Sequence, residues 1–452
     1  MITRATYSLL LYLLLPLIVI RLLWRGLQAP AYRHRWGERF GFYRNVKIEA
    51  DLCIQPPSPL SSCKGEGVEV WLHAVSVGEF VAAIPLIRTL MEELPEEQIL
   101  VTTMTPTGSA RVLETFGAKV QHCYLPYDLP GAVSRFLNHY HPALAVVMET
   151  ELWPNLFHQC GKQQIPLILA NVRLSQRSLQ GYQRWIPRLA KEALQQVSWA
   201  AVQSDADRDR LIQLGIDVEK ATITGSIKFD MTLPESLPAE GKKLRDQLGG
   251  DRLVWIAAST REGEEGHVLE AHQQILQQTP DALLILVPRH PERFDGVFKQ
   301  AQSAGFTVVR RSENLPPSRP SPLKGEGDQV FEIYLGDTMG EMLLLYAAAD
   351  LAYVGGSLVP TGSHNMLEPA ALGKPVLFGA HRFNFAEISQ LLIDQGAARE
   401  VQNANELAEQ VVDLLQNPQR STEMGHQGAR VVEQNRGALQ RLLTGIRAHL
   451  PE

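Results

Sequence analysis

Cysteine is scarce in this chain of 452 residues, and its four cysteines follow no regular spacing. None belongs to a C-x-x-C pair or lies near a histidine pattern, so the sequence indicates neither a zinc site nor a disulfide framework. The arrangement is typical of reduced thiols in a cytosolic protein. The four are Cys53, Cys63, Cys123 and Cys160.

Several familiar catalytic motifs are also missing. The sequence has no G-x-G-x-x-G, Walker A, H-E-x-x-H or G-x-S-x-G motif, which argues against dehydrogenases, kinases, zincins and hydrolases. The segment SDADRDRL (204–211) has the D-x-D spacing of a metal–diphosphate site, but Ser204 and Asp207 also match a helix cap. Because carboxylates two positions apart on a helix point in different directions, the cap is favoured. We expect no metal and no cofactor.

Charge is divided unevenly along the chain. The net charge is −6, yet residues 1–47 carry eight Lys or Arg against the single acid Glu38, which leaves −13 for the remainder. An acidic body of this kind is unsuited to nonspecific nucleic-acid binding, so we expect no nucleic-acid partner.

The first segment is strongly apolar. Residues 5–20 are uncharged, and Leu22, Leu23 and Trp24 extend the run past Arg21. This is short for a spanning helix, but an arginine can snorkel and a tryptophan suits the interface. The following RLLWRG has no small-residue cleavage site, and the next arginines favour a cytoplasmic location for the rest of the chain. The segment predicts a membrane anchor, either a signal anchor or a deeply inserted monotopic helix, with a buried core helix as the alternative.

Short β-like runs alternate with helical stretches, first over residues 68–226 and again over 253–381. This alternation predicts an α/β fold with parallel sheets covered by helices on both faces. The Pro- and Gly-rich segment 230–250 suits an interdomain linker. Two Rossmann-like domains with strand ends facing a common cleft are the simplest architecture, and ligands then bind in that cleft. The predicted boundaries are 1–30 for the anchor, 31–230 for the first domain and 231–452 for the second.

Two similar segments, PPSPLSSCKGEG (56–67) and PPSRPSPLKGEG (316–327), interrupt this alternation. A composition rich in Pro, Ser and Gly cannot bury a core, so we interpret both as solvent-exposed insertions without chemistry.

The stretch HAVSVGEF (73–80) joins a strand-like run to an amphipathic helical one. Ser76 and Glu79 match the S-x-x-E capping box, in which the glutamate binds the Ser76 amide. The mouth of a strand–helix turn is also where open α/β sheets place their chemistry. Glu79 is therefore either a capping residue or a functional carboxylate, and the local sequence leaves both open.

The stretch VGGSLVPTGSHNMLEPAALGKPVLFG (354–379) predicts a strand, a glycine-rich turn, a helix and a further strand. Free amides at the helix start suit a phosphate, and Glu368 one turn later suits ribose hydroxyls. The alternative is that the glycines only form a tight turn and that Glu368 only interacts favourably with the helix dipole. The predicted free amides are those of Ser363, His364, Asn365 and Met366.

Other polar residues also follow predicted strands. Arg289 comes directly after a buried strand, where a desolvated guanidinium favours an anion. Ser259 and Thr260 are possible caps or phosphate donors in the same half. In the first half, Glu149, Glu151 and Lys228 also stand at strand ends. Together they predict carboxylates in the first half and phosphate-binding groups in the second.

Eight motifs, in order from about residue 32 to 430, resemble the 3-deoxy-D-manno-octulosonic acid (Kdo) transferases, which are GT-B enzymes of lipopolysaccharide synthesis. The motifs are RWGERFG, WLHAVSVGE, ETELWPN, NVRLSQRS, GSIKFD, STREGEE, VPRHPERF and GSHNMLEPAALGKPVLFG. The resemblance implies transfer of Kdo from CMP-Kdo to the lipid A precursor (lipid IVA) on the cytoplasmic face of the bacterial inner membrane. It also implies a single N-terminal anchor and cytoplasmic catalytic domains.

The resemblance also assigns roles to individual residues. It implies that Glu79 is the general base, and that Glu149 and Lys228 stabilise the transition state. We expect Glu79 to take its place from the helix start while keeping one oxygen free for the acceptor hydroxyl. The CMP-binding residues that it implies are Pro288, Arg289, Met339, Gly340, Glu341, Asn365, Met366, Leu367 and Glu368.

Two alternatives remain at this point. One is another membrane-associated GT-B glycosyltransferase that uses a UDP-sugar, and binding of UDP in place of CMP would distinguish it. The other is a membrane-anchored scaffold on a degenerate GT-B fold, which would have lost several polar groups at strand ends. Glu79, Arg289, Asn365 and Glu368 are all present, which argues against the scaffold.

Overall fold

The computed structural model describes residues 2–43, 68–95, 98–313 and 331–450. The two segments that end in Lys-Gly-Glu-Gly, together with Cys53 and Cys63, lie outside the described residues. Cys123 and Cys160 are free and buried, and burial raises the pKa of both thiols to about 12. Neither thiol is therefore a ready nucleophile.

The chain forms two compact units, one of Met1–Asp230 with Arg436–Glu452 and the other of Met231–Asn435. Each contains a seven-stranded, entirely parallel sheet, and the strand orders are β3-β2-β1-β4-β5-β6-β7 and β10-β11-β9-β8-β12-β13-β14. In the first unit the strands are β1 Val70–His73, β2 Ile99–Thr103, β3 Gln121–Tyr124, β4 Leu144–Met148, β5 Leu167–Val172, β6 Trp199–Val202 and β7 Ala221–Ile223. In the second they are β8 Val254–Thr260, β9 Leu283–Pro288, β10 Val308–Arg310, β11 Ile333–Leu335, β12 Leu351–Val354, β13 Val376–Gly379 and β14 Ala398–Val401.

Helices connect the strands and cover both faces of each sheet, as near-continuous apolar strands require. In the first unit the helices are α1 Arg4–Gln28, α2 Trp36–Arg39, α3 Val77–Glu93, α4 Pro106–Phe116, α5 Pro130–Tyr140, α6 Pro154–Lys162, α7 Gln176–Trp185, α8 Pro187–Leu194 and α9 Asp205–Leu214. In the second they are α10 Leu237–Gln247, α11 Glu265–Gln278, α12 Phe294–Ser303, α13 Met342–Ala348, α14 Leu367–Ala371, α15 Ala386–Asp394, α16 Ala404–Gln416 and α17 Pro418–Gln434. The last helix, α18 Ala438–Arg447, belongs to the first unit.

The predicted α/β class with two parallel sheets is confirmed. Thirteen of the strands fall on predicted β-like runs, but β14 was not predicted. Its four residues include Arg399 and Glu400, so it lacks the continuous apolar run that marks the other strands.

The prediction of a linker over residues 230–250 is wrong for most of its length, because α10 occupies Leu237–Gln247. Leu244 and Leu248 of this segment join the core that contains Tyr346, and the Arg245 guanidinium pairs with Asp350 at 2.9 Å. The apolar residues of α10 recur at helical spacing, and this periodicity outweighs the Pro and Gly content.

The end of the chain also differs from the predicted second domain of 231–452. Asp230 accepts hydrogen bonds from the amides of Gly437 and Leu439, both at 2.5 Å. This carboxylate thereby caps the start of α18, whose Leu442 and Ile446 are buried in the core of the first unit.

Helix α1 is long and apolar enough to cross a membrane, and only 6% of its most apolar window is buried. This exposure disfavours the alternative of a buried core helix, since a core helix is mostly covered.

Candidate functional site

The carboxyl ends of the first sheet carry three carboxylates in mutual electrostatic contact: Glu79, Glu149 and Glu151. Glu79 lies in the first turn of α3, and the other two follow β4. All three were predicted to follow strands, and parallel strands bring such ends to one edge of the sheet.

Glu79 forms the predicted capping box. The Glu79 amide donates to Ser76 Oγ at 3.3 Å, Ser76 Oγ donates to Glu79 Oε1 at 2.8 Å, and the Val75 amide donates to Glu79 Oε2 at 2.8 Å. Both oxygens therefore accept a hydrogen bond, and the expectation that one stays free is wrong. Each oxygen keeps a second lone pair, because a carboxylate has about four acceptor positions.

Burial raises the pKa of Glu79, and the nearby charge of Glu149 adds to the effect, while the bonds from Ser76 and Val75 oppose it. A base whose pKa is raised toward neutrality takes a proton more readily from a hydroxyl group. The capping geometry and the chemical role are therefore compatible.

Glu149 and Lys228 form an ion pair, with 3.7 Å between Glu149 Oε1 and Lys228 Nζ. Glu149 has a left-handed backbone (φ 56°), which turns the chain sharply after β4. Lys228 lies on a short 3₁₀ helix, whose Ile227 amide donates to Asn171 Oδ1 at 3.1 Å. Asn171 is itself buried in β5 with φ 57°. A residue from β5 thus positions Lys228, a tertiary contact that the sequence does not reveal.

Glu151 has the most strongly altered acidity of the three carboxylates. Burial first, and then the charges of Glu79 and Glu149, raise its pKa to about 7. Its side chain makes no hydrogen bond within the described part of the chain, so both oxygens are available to a ligand.

The second sheet carries a cluster of basic groups at its carboxyl ends. Arg261 Nε donates to His364 Nε2 at 3.1 Å, and its Nη1 bonds to His290 Nε2. Burial, followed by the charges of Arg261 and Arg289, lowers the pKa of His364 to about 3. Burial and the neighbouring charge of Arg289 also lower the pKa of Arg261. We call these four residues, Arg261, Arg289, His290 and His364, the basic cluster.

Arg289 follows β9, as predicted, but its side chain is exposed, so the expected desolvation of the guanidinium is wrong. The Arg289 guanidinium makes no hydrogen bond or ion pair within the described residues, whereas the Arg289 amide donates to the Thr260 carbonyl at 3.0 Å. Its charge acts on Glu368, whose pKa burial raises and Arg289 and Asn365 lower. Arg289, Asn365 and Glu368 are therefore brought together, as the sequence analysis expected.

The predicted free amides are only partly available. The Ser363 amide donates to the Gly356 carbonyl at 2.7 Å, and the His364 amide donates to the Gly355 carbonyl at 3.2 Å. Helix α14 is five residues long, too short for a strong dipole at its start. Basic side chains, rather than helix amides, therefore dominate this region.

A buried carboxylate that sequence reasoning missed organises the glycine turn. Glu264 is fully buried and accepts hydrogen bonds from the amides of Gly356 (2.7 Å), Ser357 (3.0 Å) and Leu358 (3.0 Å). The Tyr353 hydroxyl also donates to it, at 2.5 Å. Glu264 lies in the quoted STREGEE motif, where the sequence does not distinguish it from the exposed Glu262 or the buried Glu265.

Two other predicted groups are engaged within the fold. The Thr260 hydroxyl donates to Glu265 at 2.9 Å, so it is not the free phosphate donor that we considered. The Glu341 carboxylate is bound by Arg311 at 2.8 and 3.2 Å, which lowers its pKa. The preceding loop, with exposed Met339 and Gly340 (φ 85°), follows β11, which neighbours β9.

The D-x-D segment forms a cap. Asp207 is buried and accepts from Ser204 Oγ at 2.6 Å and from the Leu174 amide at 2.8 Å. Among the residues that the structure describes, no group of three or more His, Cys, Asp or Glu side chains is arranged to hold a metal ion.

Comparisons with known proteins agree with this arrangement. Residues 34–231 match the family described as 3-deoxy-D-manno-octulosonic-acid transferase (kdotransferase). A 3-deoxy-D-manno-octulosonic acid transferase of Haemophilus influenzae is 42% identical over 448 residues, covering 99% of both chains. The transferase of the same name from Bordetella pertussis is 37% identical over 452 residues, covering 98% of both.

Solved structures share the architecture. HepE from Anabaena, solved with UDP, superposes with a TM-score of 0.55 at 15% identity, covering 84% of this chain and 100% of that one. A glycosyltransferase from Rickettsia africae gives 0.54 at 11% identity, covering 85% and 98%. These likenesses show the fold, which is GT-B. Because it is 42% and 37% identical to two Kdo transferases over nearly its whole length, the chain belongs to the family of Kdo transferases and is an enzyme that transfers Kdo.

Proposed function

We propose that the enzyme transfers Kdo from CMP-Kdo to the lipid A precursor (lipid IVA) on the cytoplasmic face of the bacterial inner membrane. The basic cluster is the observation that supports CMP-Kdo as the sugar donor. CMP-Kdo bears two anionic groups, the phosphodiester and the sugar carboxylate, and Arg289 is a cation without a partner among the described residues. Charge-assisted hydrogen bonds from arginine are well suited to both anions.

The residues around the basic cluster suit the rest of the nucleotide. Asn365 Nδ2 donates a hydrogen bond to Glu368 Oε1 at 3.0 Å. We propose that the Glu368 carboxylate also accepts hydrogen bonds from the ribose hydroxyls. Arg311 occupies the Glu341 carboxylate, so we assign main-chain contacts with the nucleotide to Met339 and Gly340. Pro288, Met366 and Leu367 are buried, and we propose that they form the apolar wall of the nucleotide site.

In the proposed reaction Glu79 takes the proton of an acceptor hydroxyl. The acceptor oxygen forms a bond to the anomeric carbon of Kdo while the bond from that carbon to the phosphate oxygen breaks. CMP leaves with the electron pair, and Arg261 and Arg289 stabilise its charge, so the proposal requires no metal. A positioned base of this kind supplies roughly 10²–10⁴ in rate.

The Glu149–Lys228 pair lies in the same set of strand ends as Glu79. We propose that it stabilises the positive charge that develops at the sugar and the negative charge at its oxygens. Preorganised charges of this type cost no reorganisation during the reaction. Asn171 maintains their geometry through the Ile227 amide.

Incubation of the purified protein with CMP-Kdo and the tetra-acylated lipid A precursor tests the proposal. We expect a lipid product whose mass has increased by whole Kdo units, and their number gives the number of sugars added. CMP should raise the melting temperature more than UDP does. A product formed from a UDP-sugar, with stabilisation by UDP and not by CMP, would instead favour a UDP-dependent glycosyltransferase.

A further inference from the structure

One face of α1 is partly covered along the helix, and α1 contacts α6 and the 3₁₀ turn that follows it. Its partly or fully buried residues recur every three or four positions and include Tyr7, Ser8, Leu11, Leu15, Leu22 and Gly26. Such spacing marks a single helical face. The opposite face is exposed, with Leu13 at 66%, Leu17 at 61%, Ile20 at 59% and Leu27 at 73%.

The start of α1 is tied to the first unit by a buried polar network. Asn155 Oδ1 accepts from Ser8 Oγ at 3.0 Å and from Arg4 Nη1 at 3.4 Å. The Tyr7 hydroxyl donates to Asp128, which also accepts the Asn155 and Leu156 amides at 3.0 and 2.8 Å. Asp128 and Asn155 are 3% and 0% exposed, so this network is part of the fold.

The end of α1 contacts the 3₁₀ turn Pro30–Arg33, which Arg39 joins to the first unit: its guanidinium lies 6.0 Å from the ring centre of Tyr32 and donates to the Met104 carbonyl at 3.1 Å. Arg33 Nε donates to the Gly26 carbonyl at 2.7 Å, and the Arg25 guanidinium lies 5.4 Å from the ring centre of Tyr32. The charges of Arg21 and Arg25 act on Tyr127, one residue before Asp128. Both ends of the helix are therefore on the side of the membrane that holds the first unit.

A spanning helix cannot satisfy these contacts. At 1.5 Å per residue, the 25 residues of α1 cover about 37 Å, and crossing a core of about 30 Å puts its two ends on opposite sides. Asp128 and Asn155 would then have to reach across the bilayer to bind Tyr7 and Ser8. We infer that α1 does not span the membrane but lies in the plane of an anionic phospholipid surface, with its exposed leucines inserted. This inference deepens the membrane part of the proposed function.

The charges around α1 are suited to an anionic phospholipid surface. Residues 2–43 contain six arginines and one acid, Glu38, and Glu38 pairs with Arg35 at 2.7 Å. Beside the end of the helix, a cavity of about 420 Å³ is lined by Leu23, Leu27, Trp36 and Arg33. The apolar walls of this cavity suit an acyl chain. The Arg33 guanidinium beside them suits the phosphate of the same lipid's head group. Helices of this kind insert only their apolar face.

Topology labelling tests the inference in a full-length chain with Cys53→Ser and Cys63→Ser, since Cys123 and Cys160 are buried. A single cysteine is placed by Ile2→Cys or, as a control in the second unit, by the exposed Lys299→Cys. A membrane-impermeant maleimide should label neither in intact spheroplasts and both after lysis. Labelling of Ile2→Cys in intact spheroplasts would show a spanning helix, and no labelling after lysis would place the start of α1 inside lipid. Either result overturns the inference.

Vesicle flotation provides a second readout. The variant Leu13→Glu/Leu17→Glu should lower partitioning onto vesicles of phosphatidylethanolamine and phosphatidylglycerol by about tenfold or more, because each leucine loses its burial in lipid. The control is Leu113→Glu, at an exposed leucine of α4, which should partition like the unaltered protein. Equal loss in both variants would mean that the exposed face of α1 is not the membrane contact. Catalysis enters neither experiment, so failure here is distinguishable from failure of the donor assignment.

Discussion

Arg261 donates a hydrogen bond from its Nε to Nε2 of His364 across 3.1 Å, which joins the loop after β8 to the glycine turn after β12. The accepting nitrogen must be deprotonated, and the pKa of His364 is lowered to about 3 by burial and by Arg261 and Arg289. The imidazole therefore stays neutral at physiological pH and aims the guanidinium. The charges of Arg261 and Arg289 then remain to attract the anionic ligand that we propose.

Arg289→Ala should weaken CMP binding by about 10- to 100-fold, because a hydrogen bond to a charged group is worth about 1.5–3 kcal/mol. Isothermal titration calorimetry with CMP measures this, and the affinity of the unaltered protein should fall as salt is raised. Arg399→Ala is the control, since that guanidinium is engaged by Asp413 at 2.8 Å. Equal affinity of both variants for CMP would remove Arg289 from the nucleotide site.

Glu79→Gln should lower kcat by roughly 10²–10⁴ while leaving the chain folded, because glutamine completes a capping box but cannot take a proton. Steady-state kinetics and thermal melting measure the two effects. The matched control is Ser204→Ala, which removes the cap of α9, where Ser204 accepts the Asp207 amide at 3.2 Å. That variant should lose about 1 kcal/mol of stability and keep its turnover. Near-normal turnover of folded Glu79→Gln would show that Glu79 is not the base.

Glu151→Gln should stabilise the protein at alkaline pH and have little effect in acid. The folded state raises the pKa of Glu151 to about 7, chiefly through burial, so it binds this proton more tightly than the unfolded chain does. Its stabilising contribution is complete below the ordinary glutamate pKa and is lost as the pH rises through about 7.

Thermal melting across this pH range, compared with Glu423→Gln at an exposed position of α17, isolates the Glu151 effect. The control should show no pH-dependent gain. Parallel pH profiles for unaltered protein and Glu151→Gln would contradict the predicted linkage.

Glu264→Ala should lower the free energy of unfolding by at least about 3 kcal/mol, because it removes the acceptor of four main-chain amides and of the Tyr353 hydroxyl. It should also abolish stabilisation by CMP, since the turn at Gly356 and Ser357 is held by this carboxylate. Denaturant unfolding provides the measurement. Tyr353→Phe removes the hydroxyl that contacts Glu264 and Ser357 but leaves the four amides bonded, and it should cost about 1 kcal/mol. Equal losses in the two variants would show that Glu264 does not hold the turn.

Much of the fold was predictable because its information is local. Buried strands such as β4 and β9 appear as short apolar runs, and the Ser76–Glu79 cap is an S-x-x-E pattern. Helix α10 was mistaken for a linker because Pro and Gly outweighed its apolar periodicity in our interpretation. The position of α18 was not predictable, since its cap comes from Asp230, which is about 200 residues earlier in the chain.

The candidate site was predictable in its residue types and less so in its contacts. Strand-end positions predicted Glu149, Lys228 and Arg289 as candidate site residues, and the helix start after the glycine turn predicted Glu368. The amides predicted to be free at Ser363 and His364 are instead bound to main-chain carbonyls of the glycine turn. Left-handed residues such as Ser363 (φ 60°) turn the chain back on itself, and this folding-back uses donors that a linear sequence leaves unassigned.

The sequence by itself determined the alternation of strands and helices, the ends at which polar residues stand, and the family to which the chain belongs. These properties depend on neighbours within a few positions or on matches along the chain. Only the tertiary structure decided that Glu264 holds the glycine turn, that Arg261 is aimed by His364, and that both ends of α1 are joined to the first unit. Each of these contacts joins groups far apart in sequence, and only packing makes them neighbours.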